Sequence, residues 1–389
     1  MFNLNEDHQA IIDGVTAICR RFCDDYWAKC DNEARFPEEF LQAMAQDGWL
    51  GVTMPEKYGG AQLGIKEASL VMHTVASHGG GMSATSCMHM NMFGPHPMVV
   101  HGTDAQKARW IPQLVSGADR VCFGVTEPDA GLDTTSIKTF ATRVDGGYSV
   151  TGRKMWTSTA QVANKILLLT RTAAKPEKGK GKSTEGMTLF YTDLDRTKVE
   201  VRRIPKHGRA AVDSNAVFID NLFIPEEDRI GEEGRGFHYL LDGLNPERVL
   251  IAVEAIGIGQ DALRRATTYA RERVVFGRPI GKNQGIQHPL AECWIQLEAA
   301  MLMAERAADL YDAGLPCGAE ANAAKLLGSR AGYQACQQAI FTHGGMGYAK
   351  EFHIERLLRE VLITRIAPIT DQMILNFIGE KVLELPKSY

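Results

Sequence analysis

The chain has 389 residues, 44% of them hydrophobic and 23% charged, a make-up that fits an ordinary soluble globular protein long enough for two or three domains. A net charge of −4 gives no electrostatic reason to expect nucleic acid or an anionic membrane, and no apolar run reaches transmembrane length. The eight cysteines are scattered, Cys19 and Cys23 being the nearest pair, and the N-terminal MFNLNEDHQAIIDGV is acidic and polar, unlike a targeting peptide. Together these predict reduced thiols and a cytoplasmic protein.

From Asn5 to about Gly117 the apolar spacing is helical, as in Ile11, Ile12, Val15, Ile18 and Phe22. Pro37 stands where a helix can begin, and Tyr58-Gly59-Gly60 marks a turn. After Asp119 short β-rich runs follow: KILLLT (165–170), MTLFYTD (187–193), VEVRRI (199–204) and AVFID (216–220). Asp145-Gly146-Gly147 and Asp220-Asn221 read as turns between strands, and KPEKGKGKSTEG (175–186) as a solvated hairpin loop. From about Gly234 helices return, with apolar positions every three or four residues over 247–272 and 286–313, interrupted at Gly281-Lys282-Asn283. The predicted layout is helices (1–119), a small barrel or sandwich (120–233), then a helix bundle (234–389).

The stretch 121–160, VCFGVTEPDAGLDTTSIKTFATRVDGGYSVTGRKMWTSTA, carries the clearest functional signal. In Thr126-Glu127-Pro128 proline stiffens the turn, while Val125 and Thr126 present donors; Trp156 and Ser158 follow after a hairpin. Read alone, the turn is an ordinary strand exit and Trp156 a core residue. In this order they resemble the acyl-CoA dehydrogenase superfamily. That resemblance implies a mainly α protein with an α-helical N-terminal domain, a central β-barrel and a C-terminal four-helix bundle. It also implies bound FAD, with Val125, Thr126, Trp156 and Ser158 on the flavin ring.

Further segments are similar to the same family. Arg273, Phe276 and Gln284, within and after RERVVFGR (271–278), match its Arg-x-x-Phe-Gly signature. They would reach the pyrophosphate and adenosine of an FAD held mostly by a neighbouring subunit, where a guanidinium pairs two phosphate oxygens. Gly344 and Gly345 fall in the family's Gly-Gly-x-Gly turn, and Thr370 with Gln372 in the pair that closes over FAD. The resemblance implies an obligate oligomer, a dimer of dimers in most relatives, with electron-transferring flavoprotein as the electron acceptor.

The reaction implied is α,β-dehydrogenation of an acyl-CoA thioester to the 2-enoyl-CoA, in fatty acid metabolism. A carboxylate removes the α-proton while hydride passes to flavin N5, and a dry, apolar site is needed to make glutamate basic enough. Most relatives carry this glutamate just before the C-terminal Gly-Thr, but Pro368 holds that position here. Leu244-Asn245-Pro246-Glu247-Arg248 resembles the segment that supplies the base in the isovaleryl-CoA and long-chain branches, which assigns Glu247 as base. Locally the same residues read as an N-cap at Asn245, proline at N1 and an acid at the helix start. Asn245, Arg248 and Leu132, the last where many relatives have serine, are the expected substrate contacts. Pro368 has no N–H for the thioester carbonyl, which leaves open a family member with oxidase or desulfinase chemistry.

MSATSCMHMNMFGPHPMVVH (82–101) holds five methionines and three histidines. A soft metal could use such ligands, but a packed helix end is the favoured reading and no metal is assigned. The pliable side chains are expected to line the acyl cavity.

Overall fold

The computed structural model describes residues 4–177 and 179–387; Met1 to Asn3, Lys178 in the predicted hairpin loop and the last two residues lie outside it. The N-terminal part is helical: α1 (Glu6–Cys19), α2 (Asp24–Asn32), α3 (Glu38–Gln46), α4 (Ile65–Val75), α5 (Gly81–Met92), α6 (His96–His101) and α7 (Asp104–Val115). Local chemistry sets several starts. The Asn5 side chain accepts from the His8 N–H and Thr103 from Gln106, each closing a capping box, and Pro37 precedes α3. Between α4 and α5 the backbone kinks through His78 and Gly79, the latter at φ 86°.

The middle part is a sheet of eight strands among the described residues: β1 (Val121–Gly124), β2 (Phe140–Val144), β3 (Gly147–Ser158), β4 (Lys165–Arg171), β5 (Met187–Asp193), β6 (Val199–Arg203), β7 (Ser214–Pro225) and β8 (Arg229–Ile230). The path runs β6-β7-β3-β2-β4-β5-β8, with β1 joined in parallel to β4. The four central residues of β4, Ile166 to Leu169, are all apolar because both faces of the strand are covered. Leu167 and Leu169 pack with Trp110, Ile111 and Leu114 of α7, whereas Ile166 and Leu168 pack with Tyr148, Phe190 and Val217 inside the β domain. The turn expected at Asp220-Asn221 is absent: β7 runs straight through it. Asn221 sits at φ 51° beside a register shift opposite Val150 and Gly152, so the turn-forming residue makes a β-bulge instead.

Helices then resume with α8 (Gly236–Asp242), α9 (Leu244–Glu272), α10 (Gln284–Asp312), α11 (Gly318–His343), α12 (Gly345–Tyr348), α13 (Ile354–Val361) and α14 (Asp371–Phe377). A short hairpin, β9 (Val274–Val275) and β10 (Arg278–Pro279), joins α9 to α10. The first three long helices dominate the bundle, and its fourth member is broken into α13 and α14. Small residues let α9 and α11 approach closely: a Cβ built at Gly332 would lie 2.2 Å from the Ala255 carbonyl oxygen. One core unites the N-terminal helices with this bundle, through Leu70, Val71, Val253, Ile256 and Ala324. Among the described residues no helix is long and apolar enough to cross a membrane.

Candidate active site

The turn after β1 is locked from beneath. Lys154, fully buried on β3, donates to the Val125 carbonyl at 3.1 Å and to Glu127 at 2.9 Å. Glu127 also accepts the backbone N–H groups of Lys138 and Thr139 at 2.6 and 2.9 Å. Burial alone would raise the Glu127 pKa, but Lys154 and these donors hold it below the ordinary range. Burial lowers the Lys154 pKa to about 8. Met155 N–H donates to the Thr126 carbonyl, so β3 and the turn form one rigid ledge.

On that ledge Trp156 adopts φ 60° and leaves 57% of its surface exposed, an indole face with room for a planar partner. Two residues on, the half-buried Ser158 hydroxyl accepts from Arg209 at 2.8 Å, which leaves its own hydrogen to donate. Arg209 also reaches Ser86 and Ser214. The structure thus brings Val125, Thr126, Trp156 and Ser158 together, and gives Ser214 and Arg209 places beside them that sequence reasoning had left unassigned.

Glu247 lies in the first turn of α9, half-buried in a cleft of about 380 Å³ including its mouth. Met90, Phe93, Phe123, Leu240 and Leu244 supply apolar walls, and His89 lines the same cleft. Phe123 belongs to β1, so the cleft abuts the ledge. Burial raises the Glu247 pKa above the ordinary carboxylate range, against the opposing pull of His89 and Arg248. The expected N-cap at Asn245 is displaced. The helix already begins at Leu244 behind Gly243, and the Asn245 side chain accepts from Arg248 at 2.8 Å instead. Pro246 is tolerated because a first-turn N–H has no intrahelical partner to lose.

Of the methionines expected along the cavity, Met90 lines it; Met82, Met88, Met92 and Met98 are buried in core clusters. Among the described residues no group of His, Cys, Asp or Glu is arranged to hold a metal. His89 pairs with Glu254, His96 stacks on Phe93, and His101 pairs with Asp242. The His89–Glu254 pair was missed from sequence. Its signal was the spacing of Glu247 and Glu254, seven residues apart and so on one helix face.

Thr370 caps α14 by accepting from Met373 N–H, and the neighbouring Asp371 is held by Arg330 and Arg365 at 3.2 and 2.6 Å. Gln372, Leu132 and Pro368 are exposed. Arg273, Phe276 and Gln284 sit elsewhere. Arg273 follows the last residue of α9, roughly 39 Å from Glu247 at about 1.5 Å per residue. Phe276 forms the tip of the β9–β10 hairpin at φ 51° and is 100% exposed. Gly344 and Gly345 share that end of the bundle: Tyr269 of α9 stacks on His343 at 4.3 Å, and no atom lies within 4 Å of a Cβ built at either glycine.

Three family models match the chain: acyl-CoA dehydrogenase, N-terminal domain over residues 5–118, middle domain over 122–222 and C-terminal domain over 234–383. The acyl-CoA dehydrogenase FadE12 of Mycobacterium bovis is 34% identical over 391 residues, 99% of this chain and 98% of its own. Butyryl-CoA dehydrogenase from Megasphaera elsdenii superposes with a TM-score of 0.92 at 26% identity, covering 98% of this chain and 100% of that one. A glutaryl-coenzyme A dehydrogenase in complex with glutaryl-CoA gives 0.93 at 27% identity, covering 100% and 98%.

Proposed function

Because this chain belongs to the acyl-CoA dehydrogenase family, we propose that its oxidation of an acyl-CoA thioester begins when Glu247 removes the α-proton. The observation that carries this reading is the placement of Glu247: a carboxylate with a raised pKa, in an apolar cleft, against the β1–β3 ledge. Desolvation strengthens the base, and the phenylalanine and leucine walls suit a hydrocarbon acyl chain. The α C–H bond breaks as an O–H bond forms on Glu247, which passes from carboxylate to neutral acid.

The ledge suits FAD. Trp156 offers an open aromatic face, Ser158 a free hydroxyl hydrogen, and Val125 and Thr126 a rigid edge held by Lys154 and Glu127. FAD held on this ledge would supply the acceptor for the hydride that leaves Cβ. The Ser158 hydroxyl hydrogen, beside the turn at Val125 and Thr126, would orient the ring, and the apolar cleft walls limit the water that reaches the carboxylate. Arg248, held on Asn245, adds positive charge beside Glu247 without bonding to it directly.

Arg273, Phe276, Gln284, Gly344 and Gly345 stand too far from Glu247 to serve the same cofactor molecule. We read them as serving the FAD of a neighbouring copy, in a homotetramer built as a dimer of dimers. The exposed Trp294, Ile295 and Leu302 on α10 and Phe341 on α11 fit burial between copies. A cytoplasmic location and electron-transferring flavoprotein as acceptor complete the reading. Thr370 and Gln372 would close over the cofactor, and Leu132 would flank the thioester.

The test is anaerobic titration of the holoprotein with short-, branched- and long-chain saturated acyl-CoAs, followed in the visible flavin band. Bleaching by one class establishes dehydrogenation and names the substrate class. No bleaching by any of them, with FAD fully bound, overturns the reading in favour of other flavin chemistry.

A further inference from the structure

We propose that His89, clamped by Glu254, is a positioning residue for the reaction at Glu247: a fixed imidazolium in the cleft wall that keeps the neighbouring carboxylate ionised. The proposal rests on the reading of Glu247 as base and adds to it residues from two different helices.

Geometry comes first. The His89 ring on α5 lines the cleft that holds Glu247, so the two groups share one apolar enclosure. Its Nδ1 lies 2.9 Å from Glu254 Oε1, and Thr85 Oγ1 donates to the other Glu254 oxygen at 3.3 Å. Glu254 is 0% exposed and His89 4%. Glu247 and Glu254 are seven residues apart on α9, about 20° from eclipsed and roughly 10 Å apart along the axis. A histidine fixed on Glu254 is therefore placed along the face that carries Glu247.

Charge decides the protonation state. A carboxylate sealed from water is costly without a cation, and the cation in contact with Glu254 is His89. Burial alone would strip the proton from His89, but Glu254 first and Glu247 second outweigh it and raise its pKa. Arg209 faces the pair from the loop before β7 and pulls the other way; its own donors are spread over Ser86, Ser158 and Ser214. Toward Glu247 the facing charges are His89, Arg248 and Glu254, and the pull of His89 exceeds that of either other group. The apolar walls of the cleft reduce the solvent that screens this interaction.

The consequence for the reaction is specific. Burial makes Glu247 more basic but also favours its protonated form, and a protonated glutamate cannot accept the α-proton. The imidazolium resolves this by favouring the ionised form while keeping its own proton on Nδ1 throughout. No proton passes through His89: the α-proton goes to Glu247, and the hydride from Cβ goes to the cofactor.

The test uses the holoprotein carrying His89→Gln together with Glu254→Gln, which replaces the ion pair by two neutral amides and leaves no bare buried charge. The Glu247 carboxyl is titrated by infrared difference spectroscopy, its band identified as the one missing from Glu247→Gln. The expected result is a Glu247 midpoint displaced to higher pH, FAD content unchanged, and flavin reduction at neutral pH slowed about threefold or more. An unchanged or lower midpoint overturns the proposal. Flavin reduction by the acyl-CoA that bleaches the wild type, measured in Glu247→Gln, separately tests the base. If that variant stays active, the base assignment fails, while the infrared titration still decides whether His89 governs Glu247.

Discussion

Lys154 and Glu127 meet at 2.9 Å beneath the turn that follows β1, with 0% and 7% of their side chains exposed. A pair this deep is expensive to halve, because the surviving partner keeps its charge without an answer. Lys154→Met is expected to cost about 3–5 kcal/mol and to release FAD, since Val125 and Thr126 lose their support. Urea unfolding midpoints and the flavin-to-protein absorbance ratio check both parts. A variant that keeps its stability and its yellow colour would show that the ledge does not depend on this pair.

Glu247→Gln keeps the shape of the cleft and removes the base. FAD is expected to stay bound while the rate of flavin reduction by acyl-CoA falls about 10²- to 10⁴-fold. Stopped-flow absorbance under anaerobic conditions measures it.

The same residue makes a stability prediction. Its folded-state pKa lies above the unfolded value of 4.5, so the folded protein binds the extra proton and loses stability as pH rises through that window. Glu247→Gln removes the loss, and is expected to melt at a higher temperature than wild type at neutral pH but not at pH values well below the window. Flavin reduction by wild type should rise with pH across the window, because the ionised form is the active one. Thermal melts and rate profiles over the same pH series check the two together.

Gly332→Ala places a methyl group 2.2 Å from the Ala255 carbonyl oxygen, in a seam where the three nearest atoms all belong to the Ala255 backbone. The expected cost is about 1–3 kcal/mol, with α9 and α11 pushed apart. Denaturant unfolding of the variant against wild type checks the cost.

Phe276→Asn removes the exposed aromatic tip of the β9–β10 hairpin yet tolerates its left-handed backbone. The subunit fold is expected to be unaffected, whereas association between copies weakens and FAD is retained less well. Sedimentation velocity at graded concentration separates these effects.

Much of this was legible in the residues. The KILLLT run read as a strand and is one, and the 29-residue helices α9 and α10 followed from apolar spacing. The ledge residues lie close in sequence on either side of one hairpin, and it was their resemblance to the family in that order, not the local pattern alone, that grouped them. Three features escaped for physical reasons. Asp220-Asn221 has turn chemistry, but the strand pairing of β7 with β3 overrode it and turned it into a bulge. The methionines looked like cavity lining because their softness suits it, yet which side of a helix faces a cavity is set by tertiary packing. His89 and Glu254 are 165 residues apart, and nothing local reveals such a pair before the helices that carry it are docked.

The length of α9 has a consequence for inheritance. One rod carries a protomer's Glu247 at one end and, on the reading above, the arm that completes its neighbour's cofactor site at the other. Damage to the Arg273 hairpin would then spare the bearer's own reaction centre and disable the copy beside it. In a mixed pair either variant would leave one working site of two, but the site lost would be the wild-type copy's for a hairpin variant and the variant's own for a Glu247 variant.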